Sequence, residues 1–264
     1  MYIDFHIHAF VDEIAERAIS KLEVTSNFKA YTKGTIYDTI KKLDEWNVDK
    51  GVLLPIATKP SQQTTINDWA ADIQKINDRI IAFGSVHPDA PDVIEELERI
   101  KSLGLKGIKL HPDYQNFFID DEKAYPVYEK CAELGLAVIF HAGFDPLSPD
   151  VVHALPKASA RVHKDVPNMT MILAHLGGMY HWDEVEEFLV GKNIYFDTAF
   201  IATAIKDEQV ERIIKMHGAD KILLASDCPW QKTTTGIDML NHLNLLDEEK
   251  QLIFHKNAEK LLGI

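Results

Sequence analysis

Residues 2–8 read Tyr-Ile-Asp-Phe-His-Ile-His, a short apolar run that ends on two histidines one residue apart. Similar runs recur along the chain, at Gly51–Leu54, Ile80–Val86, Lys106–Leu110, Leu136–Phe140, Met169–Leu173, Asn193–Phe196 and Lys221–Ala225. Between them lie stretches of helical period. In residues 91–104, for example, Val93, Ile94, Leu97, Ile100 and Leu103 share one face and Gly104 supplies a left-handed stop. Residues 122–135 repeat the pattern and end at Gly135. Strands that are apolar on both faces and joined by helices belong to a parallel sheet covered on both sides, because the right-handed crossover requires the helix. Eight such units predict an α/β fold, a (β/α)₈ TIM barrel, with residues 1–264 as one domain. The runner-up, a doubly wound open sheet, has no GxGxxG or GxxxxGK[ST] phosphate fingerprint to support it.

Bulk composition narrows the partners. The 264 residues are 46% hydrophobic and 26% charged, which suits a globular chain with one large core. A net charge of −13 repels polyphosphates and anionic lipid, so neither nucleic acid nor a membrane surface is expected as partner. Cys131 and Cys228 form no CxxC pair, and no basic, then apolar, leader opens the sequence. A reducing cytoplasm is the expected location, a small molecule the expected partner, and association into a homo-oligomer is left open.

The histidines carry the chemistry. His6, His8, His87, His111, His141 and His175 all fall at the ends of apolar runs, and in a parallel barrel those ends meet on one rim. Strand alternation turns His6 and His8 toward the barrel interior and Phe5 and Ile7 toward the helices. Asp227 ends the last run, where a carboxylate is costly unless it binds metal or is fully hydrogen-bonded. HxH on strand 1, histidines on strands 5 and 6 and aspartate on strand 8 have the ligand types and barrel positions of a catalytic zinc site.

The motifs IDFHIH at 3–8, GIKLHP at 107–112, FHAG at 140–143, AHLGG at 174–178 and ASDCPW at 225–230 make the chain similar to the amidohydrolase superfamily. The resemblance is to the branch that includes aminocarboxymuconate-semialdehyde decarboxylase, and it covers essentially the whole chain. It implies one metal held by His6, His8, His141 and Asp227, with His175 beside it. Zn²⁺ is the expected ion, with Mn²⁺ or Fe²⁺ as alternatives. Zinc lowers the pKa of bound water to about 7. Asp227 then both ligates and moves a proton, and His175 stabilises developing negative charge. The reaction expected is hydrolysis of an ester, lactone or amide. The alternatives are decarboxylation within the same branch and, less favoured, a metal-dependent deoxyribonuclease.

Strand 4 leaves a choice open. Lys109 and His111 share a face, and in binuclear members of the superfamily a carboxylated strand-4 lysine bridges two ions. Lys109 is then either such a bridge, with His141 and His175 on a second ion, or an ammonium that binds substrate or pairs with Asp4 or Asp227. His111 either contacts substrate or shapes a turn. Among weaker signals, Phe144 and Trp230 sit on rim loops, and residues 10–34 and 142–161 form long excursions able to act as lids. His153, His163, His181, His217, His242 and His255 read as surface residues, and Cys228 as a packing residue beside Asp227.

Overall fold

A computed structural model describes residues 1–264. Its strands are β1 (Ile3–Ile7), β2 (Lys50–Leu53), β3 (Ile80–Ala82), β4 (Gly107–Leu110), β5 (Ala137–Phe140), β6 (Met171–Leu173), β7 (Tyr195–Asp197) and β8 (Ile222–Leu223). All pairings are parallel, in the order β1-β2-β3 and β4 through β8. Two single bridges, Gly84 with Ile108 and Ile7 with Cys228, join the two sheets and close the ring. The Phe5 amide donates to the Leu224 carbonyl at 2.8 Å and the Asp227 amide to the His6 carbonyl at 2.9 Å, so β1 and the end of β8 are laced together. This is the expected TIM barrel.

All strands but β2 are shorter than their apolar runs. Strand β8 ends at Leu223 although the run continues to Ala225, because beyond it the backbone bonds to β1 in irregular register. Helices α1 (Asp12–Ser26), α2 (Ile36–Glu45), α3 (Gln63–Ile76) and α4 (Val93–Ser102) follow in chain order. Next come α5 (Pro112–Gln115), α6 (Tyr125–Leu134), α7 (Pro156–Asp165), α8 (Trp182–Phe188) and α9 (Asp207–His217). The chain closes with α10 (Thr233–His242), α11 (Asp247–Gln251) and α12 (Asn257–Leu262). The excursion at 10–34 is thus largely a helix, α1. No helix is long and apolar enough to cross a membrane.

Two apolar layers hold the barrel. The larger lies between strands and helices; the smaller fills the barrel with Ile3, Phe5, Val52, Phe83, Ile139 and Leu223 among others. Phe5 therefore points inward, edge-on to Phe83 at 5.8 Å, and not toward the helices as alternation alone predicts. The cause is an irregularity in the β1–β2 register between Asp4 and Ile7, which lets Phe5 and His6 both face the interior. Buried Asp4 secures it. Its carboxylate accepts the His6 and Ser226 amides at 3.1 and 3.0 Å and the Thr233 hydroxyl, and burial pushes its pKa up to about 6 despite those bonds.

Candidate metal centre

The strand ends bring His6, His8 and Asp227 together as one group of ligand atoms. His6 Nε2 lies 3.1 Å from His8 Nε2, and Asp227 Oδ1 lies 3.4 and 3.2 Å from the two. The second ring nitrogens fix the tautomers. His8 Nδ1 faces the Leu54 carbonyl at 2.7 Å and His6 Nδ1 faces Asp197 Oδ2 at 2.7 Å, so each Nδ1 carries a hydrogen and each ring turns its Nε2 toward Asp227. Two imidazole nitrogens and a carboxylate oxygen converging on one point are the donor set of a divalent cation. Their spacing is close to the edge of about 3.4 Å that metal–nitrogen bonds of about 2.0–2.1 Å give at a tetrahedral ion. The residues fit a divalent metal.

His141 and His175 complete the rim. His175 Nδ1 donates to the Ala199 carbonyl at 2.8 Å, leaving Nε2 to accept from His141 Nδ1 at 3.1 Å. His141 Nε2 is buried and has no hydrogen-bond partner. That atom lies 3.9 Å from Asp145 Oδ2 and 4.0 Å from Asp113 Oδ2, and His141 groups with His111 and Asp145 instead of with His6, His8 and Asp227. The four ligands that the resemblance implies therefore do not form one group: three do, and His141 stands at its side in a second. Tyr114, His111 and His141 stack as a column, with ring centroids 3.6 and 4.2 Å apart.

Burial governs the electrostatics. Desolvation, reinforced for His6 by the Lys109 charge and for His141 by His111 and His175, holds the pKa of His6, His111 and His141 well below the ordinary imidazole value. Lys109 is 1% exposed and its Nζ lies 3.3 Å from His6 Nε2. Burial pushes its pKa down to about 8, against the pull of Asp197, Asp227 and Asp145. Burial would raise Asp227, but His6 and His8 outweigh it and hold its carboxyl below the usual range. Asp227 and His175 also have left-handed backbone, at φ 67° and 59°, strain of the kind that collects at functional sites.

Asp197, Asp145 and Asp113 are the site residues the sequence reading missed. Asp197 ends β7 just as Asp227 follows β8, so the same signal was present one residue beyond the run ending at Phe196. Phe144 and Trp230 line the cavity above the cluster, as do His111 and Lys109. His87 does not: it is buried, and its Nδ1 accepts the Asp89 amide at 3.2 Å, a local turn. Of the histidines read as surface residues, His153 is instead paired with Asp113 at 2.8 Å. His217 is buried against Phe196, with ring centroids 4.0 Å apart. Cys228 is buried and free, as a packing residue should be.

Among known proteins, this chain is similar to 2-amino-3-carboxymuconate-6-semialdehyde decarboxylase of Dictyostelium discoideum, with 25% identity over 235 residues covering 75% of the chain. It spans just under two thirds of that relative, 66% of its length. An uncharacterized TIM-barrel protein from Bordetella bronchiseptica superposes with a TM-score of 0.80 at 17% identity, covering 99% of this chain and 98% of that one. The 5-carboxyvanillate decarboxylase of Sphingomonas paucimobilis gives 0.74 at 16%, covering 100% and 99%. The Novosphingobium aromaticivorans 5-carboxyvanillate decarboxylase, complexed with manganese and 4-hydroxy-3-methoxy-5-nitrobenzoic acid, gives 0.74 at 17%, covering 100% and 96%. At these identities the structures establish the shared barrel fold. A family model described as Amidohydrolase matches residues 3–264, and with that match over nearly its whole length the chain belongs to the amidohydrolase family.

Proposed function

We propose that the chain is a divalent-metal-dependent decarboxylase that removes CO₂ from a small carboxylated arene or conjugated acid. The observation that carries the reading is a cavity of about 600 Å³ with largely apolar walls, closing over a floor of imidazoles, carboxylates and one ammonium. A carboxylate seated on that floor is stripped of water on its other sides, and release of neutral CO₂ removes the charge that such walls disfavour. The sequence similarity to a decarboxylase supports the same choice, whereas the hydrolytic reading gains nothing from the relatives.

His6, His8 and Asp227 would hold the ion, with His141 standing beside them in the neighbouring group. A divalent ion there supplies a Lewis acid that binds and polarises the substrate's oxygen atoms. Lys109 adds positive charge beside His6 and holds the carboxylate in place. Replacement of carboxylate by hydrogen needs one proton delivered to the ring carbon. His175 is the group to deliver it: its Nδ1 is tied to Ala199, so Nε2, which accepts from His141 Nδ1 at 3.1 Å, is the atom that would take up a proton and pass it inward when that hydrogen bond breaks. A second reading keeps His141 with His111 and Asp145 as the site of a second ion, a grouping the ligand-atom distances favour. Carboxylated Lys109 bridging two ions is a further form of that reading.

The test is a panel of carboxyl-labelled arenecarboxylates beside esters, lactones and amides, offered to protein loaded separately with Mn²⁺ and Zn²⁺. Labelled CO₂ with a decarboxylated product is the expected result. Hydrolysis of a panel member with no CO₂ from any acid overturns the proposal.

A further inference from the structure

Helix α1 has one wide apolar face whose two edges meet different surroundings. Ala15 and Ile19 are buried, with Ile19 packed over Gly34 and Phe10. Ile14, Ala18 and Leu22, at i, i+4 and i+8, form the other edge, which faces the cavity above the metal cluster. Ile14 remains 41% exposed, and Ala18 and Leu22 are half-buried, so this edge is not fully covered by the protein. Phe28, just beyond the helix and also 41% exposed, stands edge-on to Phe200 at 4.9 Å and continues the same wall.

Volume and charge then constrain the occupant. Cavities of about 300–1,000 Å³ accommodate drug-sized ligands, and one carboxylated ring on the cluster occupies only part of this one. The only lysines on its walls are Lys109, at the cluster, and Lys21, on α1, and no arginine lines it. A second anionic group under the apolar stripe of α1 would be desolvated without a bidentate partner. Resting on the proposed carboxylate site, we infer that the substrate is a monocarboxylate with an extended apolar body. That body, an alkyl chain or a second ring, runs from the cluster beneath α1, and Ile14, Ala18 and Leu22 determine specificity for it.

Binding of benzoate and its 4-ethyl, 4-butyl and 4-hexyl derivatives to Mn²⁺-loaded protein tests this, read by fluorescence of Trp69 and Trp230, which line the cavity. Each added methylene is expected to tighten Kd about 3- to 4-fold until the space is filled. Terephthalate should bind more weakly than 4-ethylbenzoate. Ala18→Asp should cut the hexyl-to-benzoate affinity ratio at least tenfold, and Leu22→Ala, which keeps a good helix former, should cut it several-fold. A Kd that stays flat along the series overturns the inference, as does a gain that neither variant reduces. Release of CO₂ is measured in parallel on hydroxylated arenecarboxylates carrying the same alkyl series, since an alkylbenzoate lacks the electron-donating group that lets the ring carbon take up a proton as CO₂ leaves. Chain-length-dependent binding without turnover upholds the apolar site and overturns the decarboxylase reading alone; turnover with no dependence on chain length does the reverse.

Discussion

Asp197 Oδ2 accepts the Nδ1 hydrogen of His6 at 2.7 Å, reaching from the end of β7 past β8 to β1. Its other oxygen accepts the amides of His175 and Ala199 at 2.9 and 3.0 Å, so one buried carboxylate fixes the His6 ring and the His175 backbone together. Asp197→Asn removes the charge and lets an amide N–H meet His6 Nδ1, which favours the wrong tautomer. Metal affinity, measured by chelator competition, should fall about 10- to 100-fold with circular dichroism unchanged. An unaltered affinity would show that Asp197 does not orient His6.

His175 is assigned to proton delivery and not to holding the ion. His175→Asn should therefore retain the metal of the parent protein while turnover drops about 10²- to 10⁴-fold. Loss of one of two ions in that variant would instead favour the binuclear arrangement. Metal content by elemental analysis and CO₂ release on the same preparation separate the outcomes.

Two glycines with similar backbone should respond very differently to alanine. Gly143 has φ +83°, and a Cβ there would fall on the backbone of Gly178 and Met179, where the β5 and β6 loops bridge. Gly104 has φ +78° with nothing within 4 Å of that position. Gly104→Ala should cost about 1–2 kcal/mol of stability, the left-handed penalty alone. Gly143→Ala adds a steric clash and should cost about 2–5 kcal/mol. Urea unfolding of the two variants gives the comparison, and equal losses would contradict the close approach.

Much of this was legible in the chain. Apolar runs alternating with helical stretches specify a barrel, and polar residues at run ends meet on its rim because every strand points the same way. That logic found His6, His8, His111, His141, His175, Lys109 and Asp227. It failed where geometry departs from the repeat: period-two alternation cannot anticipate the register irregularity that turns Phe5 inward. Asp113 and Asp145 lie in loops, where no pattern marks them. Helix α1 was legible but passed over as an excursion: Ile14, Ala15, Ala18, Ile19 and Leu22 form one apolar face of helical period.

His217 was read as a surface residue because its position near a helix end carries no burial signal. Its Nδ1 accepts the Gly191 amide at 3.1 Å and its Nε2 donates to the Ile194 carbonyl at 2.8 Å, an arrangement only the neutral ring can make. Burial lowers its pKa from the usual 6.5. The unfolded chain thus takes up this proton before the native protein does. The resulting stability is fully present above about pH 6.5 and is lost as the pH falls toward the native ring's lower value. His217→Gln should be less stable than the parent at pH 8 and lose less on going to pH 5, as followed by urea unfolding at each pH. An identical loss in both proteins would remove His217 from the acid response.

The proposed function requires an ion at His6, His8 and Asp227 for release of CO₂. Metal-free protein titrated with Mn²⁺, with bound metal and labelled CO₂ release from one arenecarboxylate measured at every point, tests it most directly. The account predicts that turnover rises in proportion to the first ion bound, and that His6→Ala/His8→Ala protein, still folded by circular dichroism, neither binds that ion tightly nor turns over. Turnover that persists without metal, or that is retained in the double variant, would contradict it.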